Sequence, residues 1–88
     1  MMSKYKYIHS KNNVRKELTR QQFIDALGEA LPRQIDSIAG FGIAIADYDR
    51  GKKELNRMMY SLKKTGRNKS TTLVVVDEGS FWVEKVGD

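Results

Sequence analysis

Thr71-Thr72-Leu73-Val74-Val75-Val76-Asp77-Glu78-Gly79-Ser80-Phe81-Trp82-Val83-Glu84-Lys85-Val86 decides the fold class. Two runs rich in β-branched and aromatic residues flank Asp77-Glu78-Gly79, and such runs joined by a short glycine-containing turn read as a β-hairpin. If Asp77 opposes Ser80, then Val74, Val76, Phe81 and Val83 share one face, and Leu73, Val75, Trp82 and Glu84 share the other. Both faces are apolar near the turn, more than a sheet with one wet side requires. Either a helix covers the second face, or Trp82 is partly exposed for a partner.

Before the hairpin, residues 50 to 65 carry the clearest helical pattern in the chain. Leu55, Met58, Met59 and Leu62 recur at offsets of three, four and seven, a single stripe that faces a core. Asp47 and Asp49 stand where an N-cap is wanted, with Asp49 able to accept from the first-turn amides. Lys63, Lys64 and then Gly66 suit the C-terminus. At about 100 degrees per residue, Lys53, Arg57, Tyr60 and Lys64 project almost opposite the apolar stripe, with Arg50 and Arg67 flanking them.

Nearer the N-terminus, Thr19 followed by Gln22 fits a capping box, so a helix starts at Arg20. Phe23, Ile24, Leu27, Ala30 and Leu31 form its inward stripe, and Pro32 stops it. Because proline also suits the first turn of a helix, Arg33 to Ala39 reads as a second short helix with Ile35 and Ile38 inward. Residues 40 to 46, Gly40-Phe41-Gly42-Ile43-Ala44-Ile45-Ala46, alternate large with small and read as a short buried strand, with helical spacing nearly as good. Lys4-Tyr5-Lys6-Tyr7-Ile8-His9 alternates as a half-buried strand does, and residues 11 to 16 read as a loop.

The expected fold is therefore α+β: one domain over residues 1–88, with a small antiparallel sheet from the N-terminal strand and the C-terminal hairpin, packed on two or three helices. Its core is Phe23, Leu27, Leu31, Leu55, Met58, Met59, Leu62, Val74, Val76, Phe81 and Val83.

Charge is blocked along the chain. Between Arg50 and Lys69 stand eight basic residues, Arg50, Lys52, Lys53, Arg57, Lys63, Lys64, Arg67 and Lys69, against the one acid Glu54. Acid-rich segments lie on both sides, so the formal net charge of +5 describes a dipolar chain as much as a basic one. With no cysteine and a single histidine, neither a disulfide framework nor a metal site is expected, and no cofactor motif stands out. The start has no apolar stretch behind its charges and no run approaches the roughly 18 apolar residues of a membrane span, so the chain reads as soluble and cytoplasmic.

Asp47 with Asp49, and Asp77 with Glu78, are the tight acid pairs, and a cap and a turn account for them; no catalytic set is offered, and the chain reads as non-enzymatic. Gly66-Arg67-Asn68-Lys69-Ser70-Thr71 superficially suggests a phosphate-binding loop, but Asn68 stands where a glycine is needed before the Lys-Ser pair and a strand follows. His9 reads as a surface residue at a strand end. Lys4 and Lys6 with Tyr5 and Tyr7 mix cations with aromatics as single-stranded nucleic-acid sites do, although lysines guarding an edge strand explain them as well.

Clustered Lys and Arg with few acids are suited to phosphates, because binding releases condensed counterions. A helix followed by a basic loop and a hairpin resembles the order of a winged helix-turn-helix from about Thr19 to Val86, which implies a helix in the major groove and a wing beside the backbone. The expected function is nucleic-acid binding, DNA before RNA, with Arg50, Lys53, Arg57, Lys64, Arg67 and Lys69 on phosphates and Asn56 or Tyr60 at the base or sugar. The alternative is a small inhibitor or adaptor, such as a phage-encoded protein blocking a host nucleic-acid enzyme, that meets an acidic groove and inserts Trp82. A homodimer is compatible with either, since the apolar hairpin face gains from self-association.

Overall fold

Asn12 and Asn13 both take positive φ, 53° and 65°, the backbone of a two-residue turn whose twist matches that of the strands it joins. They fold strand β1 (Tyr5–Lys11) onto β2 (Val14–Leu18), with Lys11 opposite Val14. The computed structural model describes residues 4–36 and 42–86. After β2 come α1 (Arg20–Ala30), β3 (Arg33–Asp36), β4 (Gly42–Ile45), α2 (Tyr48–Thr65), β5 (Leu73–Val75) and β6 (Gly79–Lys85). β1, β2, β5 and β6 form one antiparallel sheet in the order β2-β1-β6-β5, and β3 pairs with β4 as a separate antiparallel ribbon.

The expected architecture needs correction on three points. The main sheet has four strands rather than three, because the stretch expected as a loop contains the turn and three of the five residues of β2. Residues 33–36 are strand, not the start of a second helix: Leu31 before Pro32 has no side-chain oxygen to cap one, and Arg33 instead pairs with Ile45. Ile38 and Ala39, expected in that helix, and Gly40 and Phe41 lie outside the described residues. With two helices separated by a ribbon rather than a tight turn, the winged-helix topology is overturned. What holds is α+β in the broad sense. β4 falls within the stretch expected as a strand, but Gly42, Ile43 and Ala44 are exposed rather than buried.

The C-terminal hairpin also closes differently. Its turn spans Val76-Asp77-Glu78, with the Glu78 N–H donating to the Val75 carbonyl at 3.0 Å and Asp77 at φ 67°. Val75 thus opposes Gly79 and Leu73 opposes Phe81. Relative to Asp77 opposite Ser80, the register moves by an odd number of residues, which turns every β5 side chain to the other face. Leu73 and Val75 therefore pack toward the core, while Val74 and Val76 are 70% and 85% exposed. Gly79, at φ 94°, lies where an added Cβ would strike the Ser10 carbonyl.

Both helices cover one face of the sheet. Phe23, Ile24, Leu27 and Ala30 of α1 meet Leu55, Met58 and Leu62 of α2, with Tyr7, Phe81 and Val83 beneath them. The Thr19 capping box forms as expected, its hydroxyl accepting from Gln22 N–H at 3.1 Å and its N–H donating to Gln22 Oε1 at 3.0 Å. α1 and α2 approach closely at glycines: an added Cβ on Gly51 would lie 2.5 Å from the Ile24 carbonyl oxygen. Such a contact needs a residue without a side chain.

Candidate anionic-partner interface

α2 begins at Tyr48, two residues before the start that the sequence pattern predicts. Asp47, not Asp49, is the N-cap, its carboxylate accepting from the Arg50 N–H at 3.0 Å, and Asp49 sits in the first turn where negative charge favours the helix dipole. Asp47 is held there because its own N–H donates to the Gly28 carbonyl of α1 at 2.9 Å. At the other end Gly66 takes the left-handed conformation, φ 67°, and donates to the Leu62 carbonyl at 3.0 Å. Both ends of the helix are thereby fixed, and so is its rotation.

That rotation places Gly51, Leu55, Met58 and Leu62 inward and leaves Arg50, Lys52, Lys53, Asn56, Arg57, Tyr60, Lys63 and Lys64 exposed. Tyr60, at 65% exposure, stands among cations with its ring in solvent. Among the described residues these cations make one ion pair, Arg57 to Glu54 at 3.5 Å, within a single turn of the same helix. Arg67, exposed beyond Gly66, is held by its N–H on the Thr65 hydroxyl at 3.3 Å. The outer face of α2 is thus a band of cations with little internal neutralisation.

Lys69 does not belong to that band. The chain after Gly66 joins the sheet edge, where the Asn68 carbonyl accepts from Lys85 N–H at 2.7 Å and Ser70 N–H donates to the Val83 carbonyl at 2.8 Å. Buried Ser70 also lends its hydroxyl to Val83 N–H at 2.9 Å. Lys69 pairs with Glu84, whose side chain lies on the sheet face away from the helices. Its ammonium sits 4.6 Å from the centre of the Trp82 ring. The sequence reading groups Lys69 with α2 and treats Trp82 separately; the fold joins Lys69 to Trp82 instead.

This outer sheet face holds residues that sequence reasoning missed. Ile8 is 0% exposed although it lies outside the core cluster between the helices and the sheet, and its cross-strand neighbours on this face are Trp82 and Glu17. Arg15 of β2 reaches Glu84 at 2.6 Å and stands 6.0 Å from the Trp82 ring, and Trp82 Nε1 donates to Glu84 at 2.8 Å. The hydrogen bond from Trp82 holds the Glu84 carboxyl below its ordinary range, aided by Arg15 and opposed by partial desolvation. Lys6 and Glu17 make a further pair at 4.0 Å. Arg15 and Lys6 on this face are matched by acids, unlike most of the α2 cations, while Lys69 stands over the Trp82 ring. The signal for Arg15 was the Asn12-Asn13 pair, which specifies a hairpin and hence a second strand.

The N-terminal aromatic patch is divided by the pleat. Tyr7 is buried against Phe23, ring centres 5.7 Å apart, and Tyr5 packs beside the core, whereas Lys6 points to the outer face. His9 is not a free surface residue: its ring stacks on Phe81 at 4.3 Å and Nε2 donates to the Glu78 carbonyl at 2.6 Å. Beside it a cleft of about 360 Å³ is lined by Lys11, Asn12, Val14 and Lys16. Among the described residues no group of three or more His, Asp or Glu stands together to hold a metal. Among them, too, no helix is long and apolar enough to cross a membrane. Comparison with protein-family models, curated proteins and solved structures finds no match for the chain.

Proposed function

We propose that this chain binds nucleic acid without catalysing a reaction, laying the outer face of α2 along a phosphate backbone, DNA in preference to RNA. The observation that carries the reading is the imbalance on α2: Arg50, Lys52, Lys53, Arg57, Lys63 and Lys64 are exposed together, with Glu54 their single ion-pair partner among the described residues. Cations closely matched by acids gain little from a phosphate, whereas unmatched ones exchange condensed counterions for it. The one pair on this face among the described residues, Arg57 with Glu54 at 3.5 Å, is solvent-exposed on the Arg57 side and weak enough to give way to a phosphate. Arg57 and Lys64 lie at the centre of the face, Arg50, Lys53 and Arg67 extend it, and Asn56 and Tyr60 supply a hydrogen-bonding group and a ring for sugar or base.

A second reading is a small inhibitor or adaptor for an acidic protein groove. It draws on the partly exposed Trp82 between Arg15 and Lys69, on the face turned away from α2. The two readings use opposite sides of the molecule. The double variant Arg57→Glu with Lys64→Glu is expected to abolish capture of labelled duplex and single-stranded oligonucleotides at low salt while leaving the far-UV spectrum unchanged. Undiminished capture by that variant would refute the α2 reading, and a lysate partner retained after nuclease treatment would favour the second.

A further inference from the structure

Ser70-Thr71-Thr72-Leu73-Val74-Val75-Val76 carries no charge, and β5 within it forms an edge of the main sheet. In an antiparallel strand the N–H and C=O of one residue point to the same side, and that side alternates along the chain. The Val75 carbonyl is engaged within the hairpin by Glu78 N–H at 3.0 Å, so Val74 turns its hydrogen-bonding groups to the open edge. The side chains of Val74 and Val76 add exposed apolar surface there. An uncharged β-branched edge of this kind is a template for another strand. The opposite edge, β2, is guarded by Arg15, Lys16 and Glu17.

The ends of the segment specify the occupant. Lys69 precedes it, and Asp77 and Glu78 follow it. Antiparallel pairing with a second copy centred near Val74 brings Lys69 of each chain close to Asp77 and Glu78 of the other, and the twofold axis repeats the match. Parallel pairing would oppose like charges. We propose that β5 pairs antiparallel with β5 of a second copy, giving a twofold dimer with one continuous sheet. The axis stands perpendicular to the sheet, so both helix layers lie on the same side. Because α2 contacts β6 while α1 lies over β1 and β2, the two α2 helices flank the axis and double the cationic surface. The pairing rests on the edge itself and stands whether or not α2 binds nucleic acid.

Sedimentation equilibrium of the full chain tests it, together with Val74→Lys, Val76→Lys and two single-cysteine variants, which the cysteine-free sequence allows. Wild type is expected to be dimeric, and Val74→Lys and Val76→Lys monomeric with unchanged far-UV spectra. Val74→Cys should form a disulfide-linked dimer under mild oxidation, and Val14→Cys on the other edge should not. A wild type that stays monomeric at millimolar concentration, lysine variants as dimeric as wild type, or cross-linking at Val14 but not at Val74 would overturn the proposal.

Discussion

Gly51→Ala is the substitution whose effect departs furthest from helix propensity. At an exposed interior position alanine gains about 1 kcal/mol over glycine, but at Gly51 the new methyl would lie 2.5 Å from the Ile24 carbonyl oxygen and 2.9 Å from Gly28 N. Both are main-chain atoms that cannot rotate aside. Ordinary contact begins at 3.4 Å, so α1 and α2 must part by as much as 0.9 Å at this point. A buried leucine makes about 40–60 atom contacts of about 0.1–0.2 kcal/mol, and a gap of this size forfeits about a quarter to a half of each contact it opens. If Ile24, Leu27, Leu55 and Met58 direct roughly one third of their contacts across the seam, the loss is about 3 kcal/mol. Alanine's helix preference returns about 1 kcal/mol, leaving a net destabilisation of about 2 kcal/mol. Urea unfolding followed by circular dichroism measures it, with Asn56→Ala on the exposed side of α2 as the control. A domain of this size should lose about 10 °C of Tm. If Gly51→Ala matched or exceeded wild-type stability, the close helix crossing that sets the rotation of α2 would be refuted.

Three further outcomes follow from the sheet. Trp82→Ala removes the large cross-strand neighbour of fully buried Ile8 and is expected to cost about 2–3 kcal/mol in the same assay; a change below about 0.5 kcal/mol would mean that Trp82 does not shield Ile8. Glu84, held below its ordinary carboxyl value of 4.5 chiefly by the Trp82 hydrogen bond, contributes stability that is complete above that value and is lost as pH falls through its lower folded value. Glu84→Gln should therefore be less stable at neutral pH and show a shallower loss of stability on acidification, with a slope identical to wild type counting against the Trp82–Glu84–Arg15 cluster. Asn13→Gly, at φ 65° in the β1–β2 turn, should stabilise by a few tenths of a kcal/mol up to about 1 kcal/mol, and destabilisation would argue against a turn that needs positive φ there.

What the sequence disclosed was local. The Thr19–Gln22 capping box, the stop at Pro32 and the α2 stripe of Leu55, Met58 and Leu62 depend on neighbours within a few residues, and all of them appear in the structure. The exposed position of Lys53, Arg57, Tyr60 and Lys64 follows from helical period alone. What was hidden depends on pairing across the chain or on one turn residue. Asp77 at positive φ moved the β5–β6 register and reversed Val74 and Val76 relative to Leu73 and Val75. Missing the Asn12-Asn13 turn removed β2 and with it Arg15, whose partner Glu84 is 69 residues away in sequence. Lys69 looked continuous with α2 because the sequence is continuous, yet Gly66 ends the helix and the chain joins the sheet edge, where Lys69 turns to the face that carries Trp82. Asp47 and Asp49 were both legible as cap candidates, but the choice of Asp47 over Asp49 rests on a hydrogen bond to the Gly28 carbonyl of another helix.

The central claim is that the exposed cations of α2 act on phosphates, and the salt dependence of oligonucleotide binding tests it most directly. For duplex DNA the logarithm of the association constant falls against the logarithm of salt concentration with a slope of about −0.9 for each phosphate neutralised. Fluorescence anisotropy across a salt series should give a steep linear fall for wild type. Neutralising Arg57 and Lys64 by double substitution to glutamine should make the slope shallower by about 2. A slope near zero, a slope unchanged in the double variant, or no binding of duplex or single strand at low salt would contradict the account.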